Sequence, residues 1–280
     1  MNNRLIFDDN GTLNDLSVNA NNFLSGTFTL DVVAADDALY VGSQFPFNHR
    51  WFEVSTANDQ AASISKIEVW DGDSWVETVD IVDETSDGTN TLAQSGYISW
   101  VTDKDEGWLK DDTDDGTGIT GISTLKIYDL YWAKITFSAD LKATTALKYV
   151  GFKFSSDEDL GAEYPELTLS NVIAQFKAGQ TNWNNQHFLA ARKIIIELIK
   201  TNIIFSPNQI LRPSVFKDAS VHRVAAIAFK AFGDDYKDNR SDAMKDFYSS
   251  LNLKQFNIDI NNNARLDPSE RVSTTGWISR

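Results

Sequence analysis

The fold of the first half of the chain is decided by residues 65–75, which read Ser-Lys-Ile-Glu-Val-Trp-Asp-Gly-Asp-Ser-Trp. Side chains alternate between apolar and polar through Trp70, and a period of two predicts a half-buried β-strand. Asp71-Gly72 then supplies a turn dipeptide, and Trp75 starts a second apolar run. The stretch therefore predicts a β-hairpin with aromatic residues on both arms.

Similar short segments, rich in β-branched and aromatic residues, recur through the first half with turn signals between them. Together with Ser65–Trp70 they predict about eight strands: Gly26–Val33, Trp51–Val54, Trp75–Val79, Gly96–Val101, Thr124–Ile127, Trp132–Phe137 and Tyr149–Phe154. Many short strands joined by turns are typical of an antiparallel β-sandwich or barrel.

Apolar residues recur at intervals of three and four in the second half, as on an amphipathic helix. Helices are predicted from Asn182 to Phe205, from Pro213 to a stop at Gly233, and from Asp234 to Leu251. The sequence thus predicts an α+β fold: an antiparallel β-sandwich or barrel, then a small antiparallel helical bundle, then a C-terminal β-hairpin.

Charge is distributed unevenly between these halves. The 280 residues carry 25 basic and 40 acidic side chains, a net charge of −15. Residues 1–165 hold 10 basic and 29 acidic side chains, and residues 166–280 hold 15 and 11, so the halves carry −19 and +4. We therefore expect two domains, 1–165 and 166–280, with a linker around Leu160–Thr168.

Composition excludes several classes of protein. The chain has no cysteine, which excludes disulfide scaffolds, thiolate metal sites and cysteine nucleophiles. Three scattered histidines leave little material for a histidine metal site or triad. No apolar run is long enough for a membrane span, and the first residues lack a signal-peptide core. We expect a soluble protein that stays in the cell that makes it, or assembles there into something larger.

Catalytic motifs are missing from the sequence, which has no phosphate loop, nucleophile elbow or zinc-protease helix motif. A pair of carboxylates for glycoside hydrolysis stays open, because the acidic half has many candidates and nothing selects one pair. We expect no enzyme.

Two features of the acidic half have alternative interpretations. The acidic run Asp103–Asp115 is either a calcium site or, as we favour, a solvated loop. Tryptophan and tyrosine residues around it form either a sugar-stacking platform or, as we favour, part of the sheet core. They are Trp51, Trp70, Trp75, Tyr97, Trp100, Trp108 and Tyr131.

The loop 259–270 fits the twelve-residue calcium-binding template in part. Its candidate ligands are Asp259, Asn261, Asn263, Arg265 through its carbonyl, Asp267 and Glu270. Ala264 replaces the glycine that the template needs for a positive φ. The alternative, which we favour, is a loop whose Asn and Asp side chains bond to its own backbone. No other cofactor is predicted, and calcium stays open.

The helical half and the tail resemble the head–tail adaptor (connector) proteins of tailed bacteriophages. The resemblance lies in Ala190–Lys200, Val221–Gly233 and Asp259–Arg280, while Leu39–Ser43, Pro46–Asn48 and Trp70–Trp75 resemble a β module of phage virion proteins. It implies a structural virion protein at the neck, made in the host cytoplasm, which forms a ring beneath the portal and links the capsid to the tail.

The resemblance also implies partners. These are the portal protein, neighbouring copies in a ring of twelve, tail or stopper proteins, and packaged DNA by passive contact, with no membrane. The expected portal or neighbour contacts are Phe256, Ile258, Ile260, Trp277, Ile278 and Arg280. The alternative function is a carbohydrate- or receptor-binding virion module carried by the β domain, which requires exposed tryptophans on one sheet face.

Overall fold

A computed structural model describes residues 3–102, 107–111, 118–252, 255–265 and 271–273, of which 252, 255–257 and 271–273 are described by their backbone. The chain divides into two compact units. A β unit comprises Met1–Gly151 with Asn261–Arg265, and a helical unit comprises Phe152–Ile260 with Leu266–Arg280. The division at Gly151 and Phe152 precedes the expected boundary at residue 165. The charge separation remains, because residues 1–151 hold 9 basic and 25 acidic side chains and residues 152–280 hold 16 and 15.

The described strands of the β unit form two antiparallel sheets. The first has strand order β2-β1-β4-β11-β6-β7 with β10 beside β11, and the second has order β3-β12-β5-β9-β8. The strands are β1 Arg4–Asp9, β2 Thr12–Asp15, β3 Phe28–Thr29, β4 Ala38–Ser43, β5 His49–Thr56, β6 Ile64–Trp70, β7 Trp75–Glu77, β8 Val79–Asp83, β9 Gly96–Val101, β10 Lys110–Asp111, β11 Leu130–Phe137 and β12 Ala146–Gly151. A four-residue helix, α1, covers Ser17–Ala20.

Both sheets contribute side chains to one core. Val41, Ile67 and Ile135 come from the first sheet, and Phe52 and Leu147 come from the second. The two sheets are open, so the barrel alternative is dropped and the antiparallel α+β prediction is confirmed. The predicted hairpin at residues 65–75 is present, with Trp70 paired to Trp75.

The outer face of the first sheet has a second apolar cluster. Three isoleucines from residues 118–130 pack against Tyr40 and Trp132 of the sheet: Ile119, Ile122 and Ile127. The prediction of a strand at Thr124–Ile127 is wrong. A 3₁₀ turn, Ile122–Leu125, lies there, and Lys126 follows it with φ 54°, a left-handed conformation that no extended strand contains.

The described residues of the helical unit form five helices: α2 Asp157–Glu163, α3 Ser170–Phe176, α4 Asn184–Lys200, α5 Lys217–Phe232 and α6 Lys237–Asn252. α5 packs against α2, α4 and α6. The three predicted helices are present, and α5 ends at Phe232, directly before Gly233, whose φ is 95°. The prediction of a linker at Leu160–Thr168 is wrong. A capping box between Ser156 and Asp159 starts α2 there, and a 3₁₀ turn, Pro165–Thr168, follows.

A separate two-stranded sheet lies near the C-terminus. β13 (Gln255–Asn257) pairs antiparallel with β14 (Arg271–Ser273). The predicted C-terminal hairpin is therefore present. Ile258, directly after β13, makes a single antiparallel bridge to Ile210.

Candidate functional site

The side chain of Gln209 ties the start of the C-terminal segment to the helical unit. Its Nε2 donates to the Asp259 carbonyl at 2.7 Å, and its Oε1 accepts from the Phe205 N–H at 2.8 Å and the Ser206 N–H at 3.2 Å. The Asp259 N–H donates in return to the Gln209 carbonyl at 2.9 Å. Gln209 and Asp259 are 3 % and 1 % exposed. Buried polar groups that are hydrogen-bonded to each other help to define a unique geometry, so this junction sets the position from which the hairpin leaves the unit.

The predicted contact residues around this junction differ in their burial. Ile258 is 2 % exposed and packs in the helical core, so it cannot contact another chain in this fold. Ile260 is 53 % exposed. Phe256 is the middle residue of β13. Trp277, Ile278 and Arg280 lie outside the described residues.

The calcium prediction concerns a loop whose described part bonds to itself. The Asn261 side-chain oxygen accepts from the Asn263 N–H at 3.2 Å, and the Asn263 oxygen accepts from the Arg265 N–H at 2.8 Å. These two Asx turns are the pattern expected for a loop without an ion. Asp259 belongs to the helical unit, whereas Asn261, Asn263 and Arg265 belong to the β unit. Asp267 and Glu270 lie outside the described residues.

Ala264 occupies the position where the template has glycine. Its φ is 60°, so the backbone there is left-handed as the template requires. Its methyl group is 2 % exposed and packs in the core of the β unit. The burial offsets part of the roughly 1–2 kcal/mol that an alanine loses in this conformation.

A buried serine–histidine–aspartate network joins three parts of the helical unit. His187 of α4 is completely buried, and its Nδ1 lies 2.7 Å from Ser155 Oγ while its Nε2 lies 3.0 Å from Asp157 Oδ1. Ser155 Oγ also lies 2.6 Å from Ser220 Oγ on α5. The Asp157 carboxylate accepts from the Trp183 N–H just before α4. The network therefore connects the segment that leads into α2 with α4 and, through Ser155, with α5.

Burial and ionisation in this network oppose each other. Burial lowers the pKa of His187, although the hydrogen bond to Asp157 acts in the opposite direction. Burial alone raises the pKa of Asp157, but hydrogen bonds from His187 and the Trp183 N–H outweigh it and hold this pKa below its ordinary value. Asp157 is therefore ionised and His187 neutral near pH 7, with the proton on Nε2, where it can be donated to the carboxylate.

The network contains the residue types of a hydrolytic triad. Its geometry, however, suits holding neighbouring segments together by hydrogen bonds better than it suits nucleophilic attack. Ser155 is 6 % exposed and its oxygen is shared by His187 and Ser220. A nucleophile has to reach its substrate, whereas here the most exposed member is Asp157, with 35 % of its side chain exposed. Sequence reasoning missed the network because its residues are far apart in the chain. The one signal was a serine and an aspartate two residues apart after the last strand of the β unit.

The aromatic residues of the β unit are largely in the core. Of the seven residues proposed as a platform, Trp70, Trp100 and Trp108 are buried and the others are half-buried. Phe47 packs between Trp100 and Trp108, with ring centroids 5.5 and 5.1 Å away. This placement favours the core interpretation.

The acidic run Asp103–Asp115 lies mostly outside the described residues. Asp111, which is described, is fully buried, and one of its carboxylate oxygens accepts from the Ile119 N–H at 3.4 Å. Within the described ranges, no three His, Asp or Glu side chains lie together as metal ligands would. In the same ranges, no helix is long and apolar enough to span a membrane.

A comparison with known protein families, curated proteins and solved structures finds no match for this chain.

Proposed function

We propose that this chain is a structural virion protein, a head–tail adaptor that assembles as a ring beneath the portal of a tailed bacteriophage. The proposal rests on the resemblance of Ala190–Lys200, Val221–Gly233 and Asp259–Arg280 to that family. An adaptor acts through surfaces rather than through chemistry, and the buried serine–histidine–aspartate network is consistent with that.

The observation that carries the proposal is the C-terminal hairpin. β13 and β14 pair with each other, and no third strand joins their sheet within the described residues. A two-stranded hairpin is marginally stable alone, and each of its edges presents backbone N–H and C=O groups to another strand. Such an element is suited to bind a partner by strand addition. The junction at Gln209 and Asp259 gives it a buried, fixed base.

Co-sedimentation with the portal ring encoded by the same genome tests the proposal. We expect stoichiometric binding, near one copy for each portal subunit, with or without a calcium chelator. Loss on chelation would identify loop 259–270 as an ion site in addition. An intact chain that does not bind the portal under either condition would overturn the proposal.

Two truncations separate the hairpin from the tail. Removal of residues 266–280 deletes β14 and the tail but keeps the Gln209–Asp259 bonds and the buried Ala264 methyl. Removal of 274–280 keeps β14 as well. We expect the longer truncation to fold and to lose portal binding. A complex that survives it would exclude the hairpin and the tail from the contact.

A further inference from the structure

An irregularity in edge strand β8 exposes a row of valines. The pairing of β8 with β9 shifts between Val79 and Val82, where Asp80 has φ 51°. Val79 lies opposite Val101 and Val82 lies opposite Ser99, two positions that share one face of β9. In a regular strand Val79 and Val82 would point to opposite faces, so the extra residue of the bulge places both on the same one.

These valines form an apolar strip at the outer margin of the second sheet. Val79, Val82 and Val101 are 46, 52 and 42 % exposed. Ile81, between them, packs against the core of the β unit and holds the strand in place. β8 is the last strand of its sheet and pairs with β9 alone in the described part of the chain. The strip therefore lies beside an edge that can accept a further strand.

Charge favours an occupant from the other half of a second copy. Asp80 and Asp83 lie in β8, and Glu84 follows it, in a unit with a strong excess of acidic side chains. β14 begins at Arg271, in a unit whose basic and acidic side chains nearly balance. β14 is also one of the two strands whose own sheet has no third member in the described residues. An edge strand with acidic residues beside exposed valines and a strand that begins with basic Arg271 and has apolar Val272 at its centre are complementary.

We infer that the β13–β14 hairpin of one copy adds to edge strand β8 of the next copy, with β14 against the valine strip. This inference deepens the proposed function, on which it rests, because it names the contact between neighbours. The interface is heterologous: one copy presents the strip and its neighbour presents the hairpin. Repetition of such a contact closes a ring when the rotation between copies is right.

Engineered cysteines test this contact without interference, since the chain has no cysteine of its own. Two variants place a cysteine in β8: Val79→Cys and Val82→Cys. Two others place one in β14: Val272→Cys and Ser273→Cys. Each β8 variant is mixed with each β14 variant and oxidised, both free and bound to portal rings. A disulfide requires Cα atoms about 4.4–6.8 Å apart, so only adjacent strands can form one. Val18→Cys, at a position 81 % exposed on α1, is the matched control partner for the β14 variants.

We expect at least one β8–β14 combination to give several-fold more mixed dimer than the Val18→Cys control. A chain that carries both cysteines of that combination should give a ladder of cross-linked oligomers. No mixed dimer above the control, free or portal-bound, would overturn the inference. Dimers of Val82→Cys alone in equal yield would overturn it too, because they indicate β8 paired with β8. Portal binding by the unmodified chain is scored separately, so failure of the contact and failure of the adaptor proposal are distinguishable.

Discussion

Replacing Gly42 with alanine should destabilise the β unit through a single steric contact. Gly42 lies in β4, opposite Arg4 of β1 on one side and Trp132 of β11 on the other. A Cβ atom there would lie 2.5 Å from one Trp132 ring carbon and 2.7 Å from two others. Carbon atoms in contact are about 3.5–4.0 Å apart, so the ring and the strand would have to separate by roughly 1 Å.

Little in the structure can absorb that displacement. Trp132 is 1 % exposed and is held by the apolar cluster on the outer face of the sheet. β4 is an interior strand paired on both sides. Overpacking of this kind costs about 1–3 kcal/mol, which for a unit of this size lowers the melting temperature by roughly 2–12 °C.

Thermal unfolding followed by circular dichroism measures the effect, with Gly26→Ala as the matched control. Gly26 lies in the same unit, and a Cβ there would meet nothing within 4 Å. We expect the control to melt within a degree or two of the unmodified chain. A second variant, Gly42→Ala with Trp132→Leu, should lose less stability than the sum of its single changes. If the Gly42→Ala chain has the same melting temperature as the Gly26→Ala control, the placement of the Trp132 ring over β4 is refuted.

Three further predictions concern the buried network, the aromatic core and the calcium alternative. Because burial lowers the pKa of His187 and hydrogen bonds lower that of Asp157, the unfolded chain binds more protons than the folded chain on acidification. Stability should fall as the pH drops below about 6.5 and fall further below about 4. His187→Gln should reduce the first part without abolishing it, because burial also lowers the pKa of His49 in the β unit; the measurement is the difference between the urea midpoints of the two chains from pH 8 to 5. Trp100→Ala should lower the free energy of unfolding by about 3–5 kcal/mol, because it opens a cavity in the core. A Trp100→Ala chain that keeps its melting temperature but loses binding to a glycan array would contradict the core assignment. Calcium at millimolar concentration should leave the melting temperature unchanged, because the oxygens of Asn261 and Asn263 already accept backbone N–H groups; a rise that a chelator reverses would show that an ion displaces those bonds.

Local patterns in the sequence determined the class of the fold and most of its elements. Alternation at residues 65–75 predicted the β6–β7 hairpin, and spacings of three and four predicted α4, α5 and α6. Such patterns are readable because neighbours in the chain share one face of an element wherever the element packs. The same reasoning failed at Thr124–Ile127, where β-branched residues lie in a turn that packs on a sheet, and at α2, which is too short to show a period.

Only the tertiary structure decided which distant residues meet. β4 lies between β1 and β11, and this pairing brings Gly42 under Trp132. His187 meets Ser155 and Asp157, and the bulge at Asp80 turns two valines to one face of a sheet edge. These contacts depend on strand order, register and helix packing, which follow from burial of the whole core rather than from any local period. The sequence by itself thus determined which elements form, whereas the packing of those elements decided where their chemistry lies.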